Sequence, residues 1–458
     1  MLQSHVFKAY DIRGIYGVEW DAAGAAQIAR AFIQHFGIKK LVLGWDMRLS
    51  SPVIVAEIER AAVAAGAHVI KVGEVTTPVL YFATAGFEGN DGGIMVTASH
   101  NTGEWNGMKL LLGSGAPVGE TSGLAEIKAL AMGTMAVVAH DESDGADAAP
   151  TGSVEQRDVI EACYAKIFSL IPLNADKQIS IVIDCGNGMA GATIHKLLAR
   201  LPFVTAHIMF DNPDGAFPNH EANPLKEETL DDLKREVVAR GAQLGIAFDG
   251  DGDRVGFVDE EGRMIGGDVM TGLIGVELLK THPGATILYD LRSRHAVARA
   301  IEAAGGHPEM SRVGHAFIKK QMRELGGLFA GELSCHFYFQ EYFGVECADL
   351  AVLYAFKLLQ ESDMPFSQIA NSFLSDAHSG EINFEVADRA AALAKLESTY
   401  ASSALRVSKM DGLLIEMEDW WFNVRPSNTE PLLRLNAEAH DPFVLEQKIA
   451  EIKMLISK

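Results

Sequence analysis

Gly93-Ile94-Met95-Val96-Thr97-Ala98-Ser99-His100-Asn101-Thr102-Gly103-Glu104-Trp105-Asn106-Gly107-Met108-Lys109 runs from an apolar stretch into a loop rich in Gly and Asn. The first four residues read as a buried strand. Ser99 then falls just past a strand end, with His100 beside it and Lys109 a short loop away. An α/β protein places a nucleophile there, on an exposed turn held by a rigid sheet.

The same layout recurs outward from this stretch. Apolar strands alternate with helical patterns, which points to βαβ units and largely parallel sheets. Strands are expected at 40–44, 69–73, 179–184, 244–248 and 286–289, and a further short one at 328–330. Helices are expected at 52–66, 154–168, 226–240, from 294 and over 350–359. After Asp376 the pattern changes to half-exposed alternating strands, 382–386 and 432–437, closed by an amphipathic helix over 443–456. The small, polar, Pro-ended stretch 141–150 reads as a linker. Three strands run into polar loops, at 97–101, 249–254 and 331–336, which are strand C-termini if the units are related.

A chain of 458 residues, 48% hydrophobic, has material for about three domains with full cores. Its net charge of -22 argues against non-specific binding to a phosphate backbone, yet leaves room for small anionic substrates at local clusters of Arg and Lys. The four cysteines, Cys163, Cys185, Cys335 and Cys347, form neither a C-x-x-C clip nor a disulfide framework, as expected of a cytoplasmic protein. The N-terminus lacks an apolar signal core, and no apolar run approaches the ~18 residues of a membrane span.

Asp249-Gly250-Asp251-Gly252-Asp253-Arg254 sets carboxylates at every second position, with Gly between them so that the backbone can curl and converge the side chains. All-oxygen ligation suits a hard cation such as Mg²⁺ beside a phosphate. A calcium loop of the EF-hand kind is the rival, since Glu260 stands twelfth from Asp249. Arg254 at the sixth position, where Gly is needed, and entry from a strand argue against it. A solvated acidic turn is the bland alternative, disfavoured because three converging acids repel one another without a cation.

Arg425-Pro426-Ser427-Asn428-Thr429-Glu430-Pro431 offers a guanidinium fork, two hydroxyls and backbone donors, an inventory for gripping a phosphate dianion, although Ser, Asn and Pro also make caps and turns. Gly331-Glu332-Leu333-Ser334-Cys335-His336 pairs a carboxylate with a hydroxyl two residues on, which suits vicinal sugar hydroxyls but equally a capped turn. Lys8, Arg13, Arg292, His315, Lys319 and Lys320 are each more often surface charges than ligands. Trp420-Trp421 reads as packing.

Taken together, in order and over the whole chain, these motifs and the opening Tyr10-Asp11-Ile12-Arg13-Gly14 resemble the α-D-phosphohexomutase superfamily, specifically the bacterial phosphomannomutase/phosphoglucomutase group. The resemblance implies three related mixed-sheet α/β domains and a smaller α+β C-terminal domain around a central cleft. The domains would be 1–150 with a phosphoserine loop, 151–260 with a metal loop, 261–374 with a sugar loop and 375–458 with a phosphate loop. It implies phosphate transfer between the 1- and 6-positions of mannose or glucose phosphates, through phospho-Ser99 and a hexose 1,6-bisphosphate that also serves as activator. Asp249, Asp251, Asp253 and Ser99, through its phosphoryl group, would hold Mg²⁺. His100, Lys109, Arg13 and Arg254 would lie at the transfer site. Arg425, Ser427, Asn428 and Thr429 would grip the other phosphate, and Tyr10, Arg254, Arg292, His315, Glu332, Ser334 and His336 would contact substrate.

Glucose and mannose differ at C2, so a Glu332–Ser334 pair holding the 3- and 4-hydroxyls would accept both. Leu333 stands where similar glucosamine mutases carry Gln. Cys335 stands where the family usually has Gly, which tolerates backbone angles that Cys does not. The implied partners are small sugar phosphates, with neither nucleic acid nor membrane, in a cytoplasmic monomer or small homo-oligomer. A Mg²⁺-dependent sugar-phosphate phosphatase and a non-catalytic sugar-phosphate or calcium sensor are the competing functions.

Overall fold

The computed structural model describes residues 1–134, 152–386, 388–426 and 432–456; the expected linker at 141–150 lies outside them. The chain forms two compact units, Met1–Met264 with Ser334–Phe366, and Ile265–Leu333 with Ser367–Lys458.

The first unit contains two mixed sheets. One has the strand order Ile12–Ile15, Trp105–Leu112, Gly92–Val96, Lys40–Trp45, His68–Glu74, Ser153–Gln156. Lys40–Trp45 runs parallel to Gly92–Val96 and to His68–Glu74, while Trp105–Leu112 is antiparallel to both of its neighbours. All five residues of Gly92–Val96 are buried, the mark of a central strand covered on both faces. Helices Ala22–Phe36 and Ser51–Ala64 pack beside one another. Asp21 caps the first by accepting from Gly24 N at 2.9 Å, and Gly37 ends it at φ 66°.

The second sheet has the order Met264–Ile265, Val255–Asp259, Leu244–Phe248, Ile179–Asp184, Val204–Met209. Its last three strands are parallel, and Val255–Asp259 turns back antiparallel on Leu244–Phe248. A short antiparallel pair, Phe337–Phe339 with Val345–Glu346, and the helix Ala348–Glu361 also belong to the unit.

One expected helix starts late. Residues 154–168 were expected to be helical, but Ser153–Gln156 is a largely exposed strand that extends the first sheet beside His68–Glu74, and the helix is Ile160–Ser169. Asp158 accepts from Ile160 N at 3.0 Å, so the turn into the helix is set there.

In the second unit Thr286–Asp290 lies between parallel strands His307–Ser311 and Phe329–Gly331. This unit also holds an antiparallel sheet, Ala377–His378, Leu432–Ala439, Trp420–Pro426, Leu413–Glu416, Arg406–Ser408, with Ile382–Glu385 also on Leu432–Ala439. Trp420 and Trp421 are buried in it, Trp420 stacked on Phe422 at 5.4 Å. No described helix is long and apolar enough to cross a membrane, and all four cysteines are buried and unpaired by disulfides.

Candidate active site

The loops at 97–101 and 249–254 follow parallel strands at their C-terminal ends, Gly92–Val96 and Leu244–Phe248. Within the first unit they meet. Ser99 Oγ donates to Asp249 Oδ2 at 3.0 Å and lies 3.2 Å from His100 Nδ1. The approach is close enough to require Gly250, because a Cβ there would stand 2.4 Å from the Ser99 carbonyl oxygen. Gly252, at φ 71°, supplies the left-handed step that folds the acidic loop back.

Asp249, Asp251 and Asp253 are buried, with carboxylate oxygens within 4.8 Å of one another. Lys109 Nζ donates to Asp251 Oδ2 at 2.7 Å and Asp253 Oδ2 at 2.5 Å. Asp251 Oδ2 also accepts from Thr77 Oγ1 at 2.6 Å. The far oxygens differ: among the described residues Asp251 Oδ1 and Asp253 Oδ1 are buried without a hydrogen bond. His336 Nε2 stands 3.5 Å from Asp253 Oδ1, too far for a good bond.

The electrostatics carry the same message. Burial, then the neighbouring carboxylates of Asp253 and Asp251, pushes Asp249 up to about 8. Against burial, Lys109, His336 and Arg254 hold Asp253 well below the usual carboxylate range. Burial would lower Lys109, but Asp251 and Asp253 outweigh it and raise the ammonium further. Three converging acids with two orphaned oxygens and all-oxygen donors fit a hard divalent cation, whose charge relieves the repulsion that raises Asp249. A second group, Asp253, His336 and Glu346, also lies within 4.8 Å. Its imidazole is engaged: Arg254 Nε donates to His336 Nε2 at 3.1 Å, and His336 Nδ1 is 3.1 Å from Ser334 Oγ. The first group is thus the better cation site.

Cations gather around Ser99. Arg13 donates to Asn101 Oδ1 at 2.7 Å and to Asp11 Oδ2 at 2.5 Å. Arg254 Nε is 3.8 Å from Asp249 Oδ2. Burial, then Arg254 and Arg13, holds the His100 imidazole well below its ordinary range, hence neutral near pH 7. Tyr10 is half-buried just ahead of the strand Ile12–Ile15. Ser427, Asn428 and Thr429 lie outside the described residues.

In the second unit, Glu381 Oε2 accepts from Arg425 at 2.9 Å and Glu381 Oε1 from Arg434 at 3.0 Å, while Arg292 comes within 3.6 Å of Oε2. Arg292 forks onto Asp290 at 3.1 and 2.7 Å. Three guanidinium groups thus gather on the carboxylates of Asp290 and Glu381, with Glu332 also acting on Arg292 and Asp411 on Arg425. Arg425 is 4% exposed, and its Nε has no hydrogen-bond partner among the described residues. Burial, then Arg292, lowers its pKa. This arrangement fits an anion with several acceptor oxygens. Nearby in sequence order, Glu332 Oε1 accepts from Gly314 N at 3.0 Å, immediately ahead of His315, the first residue of the helix His315–Leu325.

With this geometry in place, the sequence comparisons decide the family. Profiles of the phosphoglucomutase/phosphomannomutase family match its α/β/α domain I at 4–134, domain II at 160–262, domain III at 266–376 and the C-terminal domain at 381–453. The chain belongs to the α-D-phosphohexomutase superfamily. It is 39% identical, over 99% of its length, to a phosphomannomutase of Methanocaldococcus jannaschii, 98% of which is covered. Identity to a phosphomannomutase of Salmonella montevideo is 38%, over 98% of each chain. The crystal structure of a phosphoglucomutase/phosphomannomutase family protein from Burkholderia thailandensis superposes with a TM-score of 0.88 at 32% identity, over 99% of this chain and 97% of that one. The protein is a phosphohexomutase, an isomerase of hexose phosphates.

Several residues of this phosphohexomutase have no place in the motifs read from sequence. Thr77 anchors Asp251, and Glu381 with Arg434 surrounds Arg425. Arg48 donates to the backbone of the Ser99 loop. The only available signal for Arg48 was a charged pair, Asp46 and Arg48, directly after the buried strand Lys40–Trp45, where a solvated turn would be expected.

Proposed function

We propose that this phosphohexomutase interconverts the 1- and 6-phosphates of mannose and glucose by a phosphoserine route. The observation that carries the reading is the Ser99 hydroxyl, 3.0 Å from Asp249 Oδ2, at the rim of a triple-Asp group with two orphaned oxygens. In the first half-reaction a free sugar hydroxyl oxygen bonds to the phosphorus of phospho-Ser99 as the bond from phosphorus to Ser99 Oγ breaks. The hydroxyl proton leaves the sugar, and the serine oxygen takes one up. The resulting hexose 1,6-bisphosphate turns over, and the reverse step moves its other phosphate onto Ser99. A trace of that bisphosphate acts as activator by restoring phospho-Ser99.

Phosphoryl transfer asks for positioning and charge neutralisation. Mg²⁺, held by Asp249, Asp251, Asp253 and a phosphoryl oxygen on Ser99, would supply neutralisation. Lys109, Arg13 and Arg254 add fixed positive charge, and neutral His100 can exchange a hydrogen bond with Ser99 Oγ. Arg425, with Ser427, Asn428 and Thr429, grips the phosphate that is not reacting, and Arg292, His315 and Tyr10 assist. Glu332, Ser334 and His336 hold the sugar through hydroxyls common to both hexoses. The domains we assign to these tasks are 1–150, 151–260, 261–374 and 375–458.

A coupled assay with mannose 1-phosphate and glucose 1-phosphate, Mg²⁺ and trace bisphosphate tests this. Both 6-phosphates are expected, without release of inorganic phosphate. Phosphate release without isomer would contradict the reading.

A further inference from the structure

Arg48 is 1% exposed, and every one of its five side-chain N–H groups is used. Nε donates to Asp46 Oδ2 at 3.0 Å. One terminal nitrogen donates to the carbonyls of Thr102 at 2.7 Å and Trp105 at 3.0 Å, and the other to those of Ser99 at 2.8 Å and Asn101 at 2.6 Å. The ring of Phe217 lies against the guanidinium, 5.2 Å from its carbon. Asp46 in turn accepts from Ser51 Oγ at 2.8 Å and from Arg48 N at 3.1 Å, and its own N–H bonds the Val96 carbonyl at 3.0 Å. One side chain therefore ties four carbonyls of the loop 99–105 to the end of a neighbouring central strand.

Stability does not account for this arrangement. Burial lowers Arg48 and raises Asp46, in each case outweighing the attraction between them. A buried ion pair of this kind is a weak stabiliser. What it does supply is geometry. Ser99 sits at φ 52°, a left-handed conformation that strains a non-glycine residue. Such a conformation persists only where the surroundings over-determine it. The bond to the Ser99 carbonyl, with the 2.9 Å bond from Ser99 N to Thr97 Oγ1, fixes both sides of that residue and thereby aims Oγ at Asp249.

We infer that Arg48 is a positioning residue for phosphoryl transfer, acting through the backbone of the Ser99 loop. The inference rests on the proposed role of Ser99. A misplacement of the reacting group by about 1 Å costs on the order of 100-fold in rate. Lysine, with three donors on a point charge, cannot bridge four carbonyls and a carboxylate.

The test is steady-state kinetics of Arg48→Lys and of the milder Asp46→Asn, which leaves Nε an acceptor oxygen. Melting temperatures are measured alongside, and Ser99→Ala is the control. For Arg48→Lys, kcat is expected to fall about 100-fold with KM for mannose 1-phosphate within threefold. For Asp46→Asn a smaller loss, again in kcat alone, is expected from a chain that melts near the parent. Retention of kcat within twofold in both variants, or KM moving by the same factor as kcat in Asp46→Asn, would overturn the inference. Turnover by Ser99→Ala would instead remove the serine route itself. An inactive Ser99→Ala beside a fully active Arg48→Lys would sink only the role of Arg48.

Discussion

At the scale of single residues, Asp349 is a buried, strained carboxyl of the first unit that stands outside the group of three aspartates. It is 8% exposed in the first turn of Ala348–Glu361, and burial alone pushes it up to about 7 from an ordinary 3.8. The folded chain therefore holds this proton more tightly than the unfolded chain. The contribution is fully present below about pH 4 and is lost as pH rises through 7. The helix N-terminus offsets part of the cost of ionisation. Asp349→Asn removes the titration, so it is expected to melt above the parent at pH 8, reflecting ~1–3 kcal/mol. The difference should close near pH 4 in parallel thermal melts. An equal gap at both pH values would mean that Asp349 is ionised throughout. Nothing in the residue pattern marks Asp349, because its discomfort comes from what packs around it and not from its neighbours in sequence.

At the scale of elements, the candidate site residues stand on loops and the strands aim them. The strand Gly92–Val96 and its Ser99 loop are legible in sequence, since an apolar run ending in a polar, Gly-containing stretch needs only local information. So is the triple-Asp loop, whose alternating glycines announce the curl. The clamp at Arg48 is not legible, because its partners are carbonyl oxygens that every residue has. The strand Ser153–Gln156 is hidden for another reason: it lies at a sheet edge and mostly faces water, so it shows no apolar alternation.

One residue of the 331–336 loop carries a backbone expectation that the structure addresses. Cys335, where the sequence resemblance leads to an expectation of Gly, adopts a left-handed backbone, at φ 64°, with its carbonyl accepting from Val255 N at 3.1 Å. Relief of that strain, roughly 1–2 kcal/mol, opposes the loss of a small buried thiol. Cys335→Gly is therefore expected to melt at or above the parent. Cys335→Ala, which keeps the strain and loses the thiol, should melt below both. Calorimetry that ranks Ala above Gly would remove backbone strain from the account of this loop.

For the whole molecule, the four family domains match separate stretches of chain, and the first unit alone assembles Ser99, Lys109, the three aspartates, Arg254 and His336. The second unit groups Arg292, Arg425 and Arg434 on Glu381. Chain-wide motif order made the family readable, while Glu381 and Arg434 stayed hidden because a lone charged residue, just ahead of one strand or within another, carries no signal of its own. The central claim is that Ser99 carries the phosphoryl group between the two positions of the sugar. Incubation of the protein with hexose 1,6-bisphosphate bearing radiolabelled phosphate, followed by peptide mapping, measures this directly. The label is expected on the peptide containing Ser99 and should move to hexose phosphate when unlabelled mannose 1-phosphate is added. Isomerisation at full rate with no label on Ser99 would contradict the account.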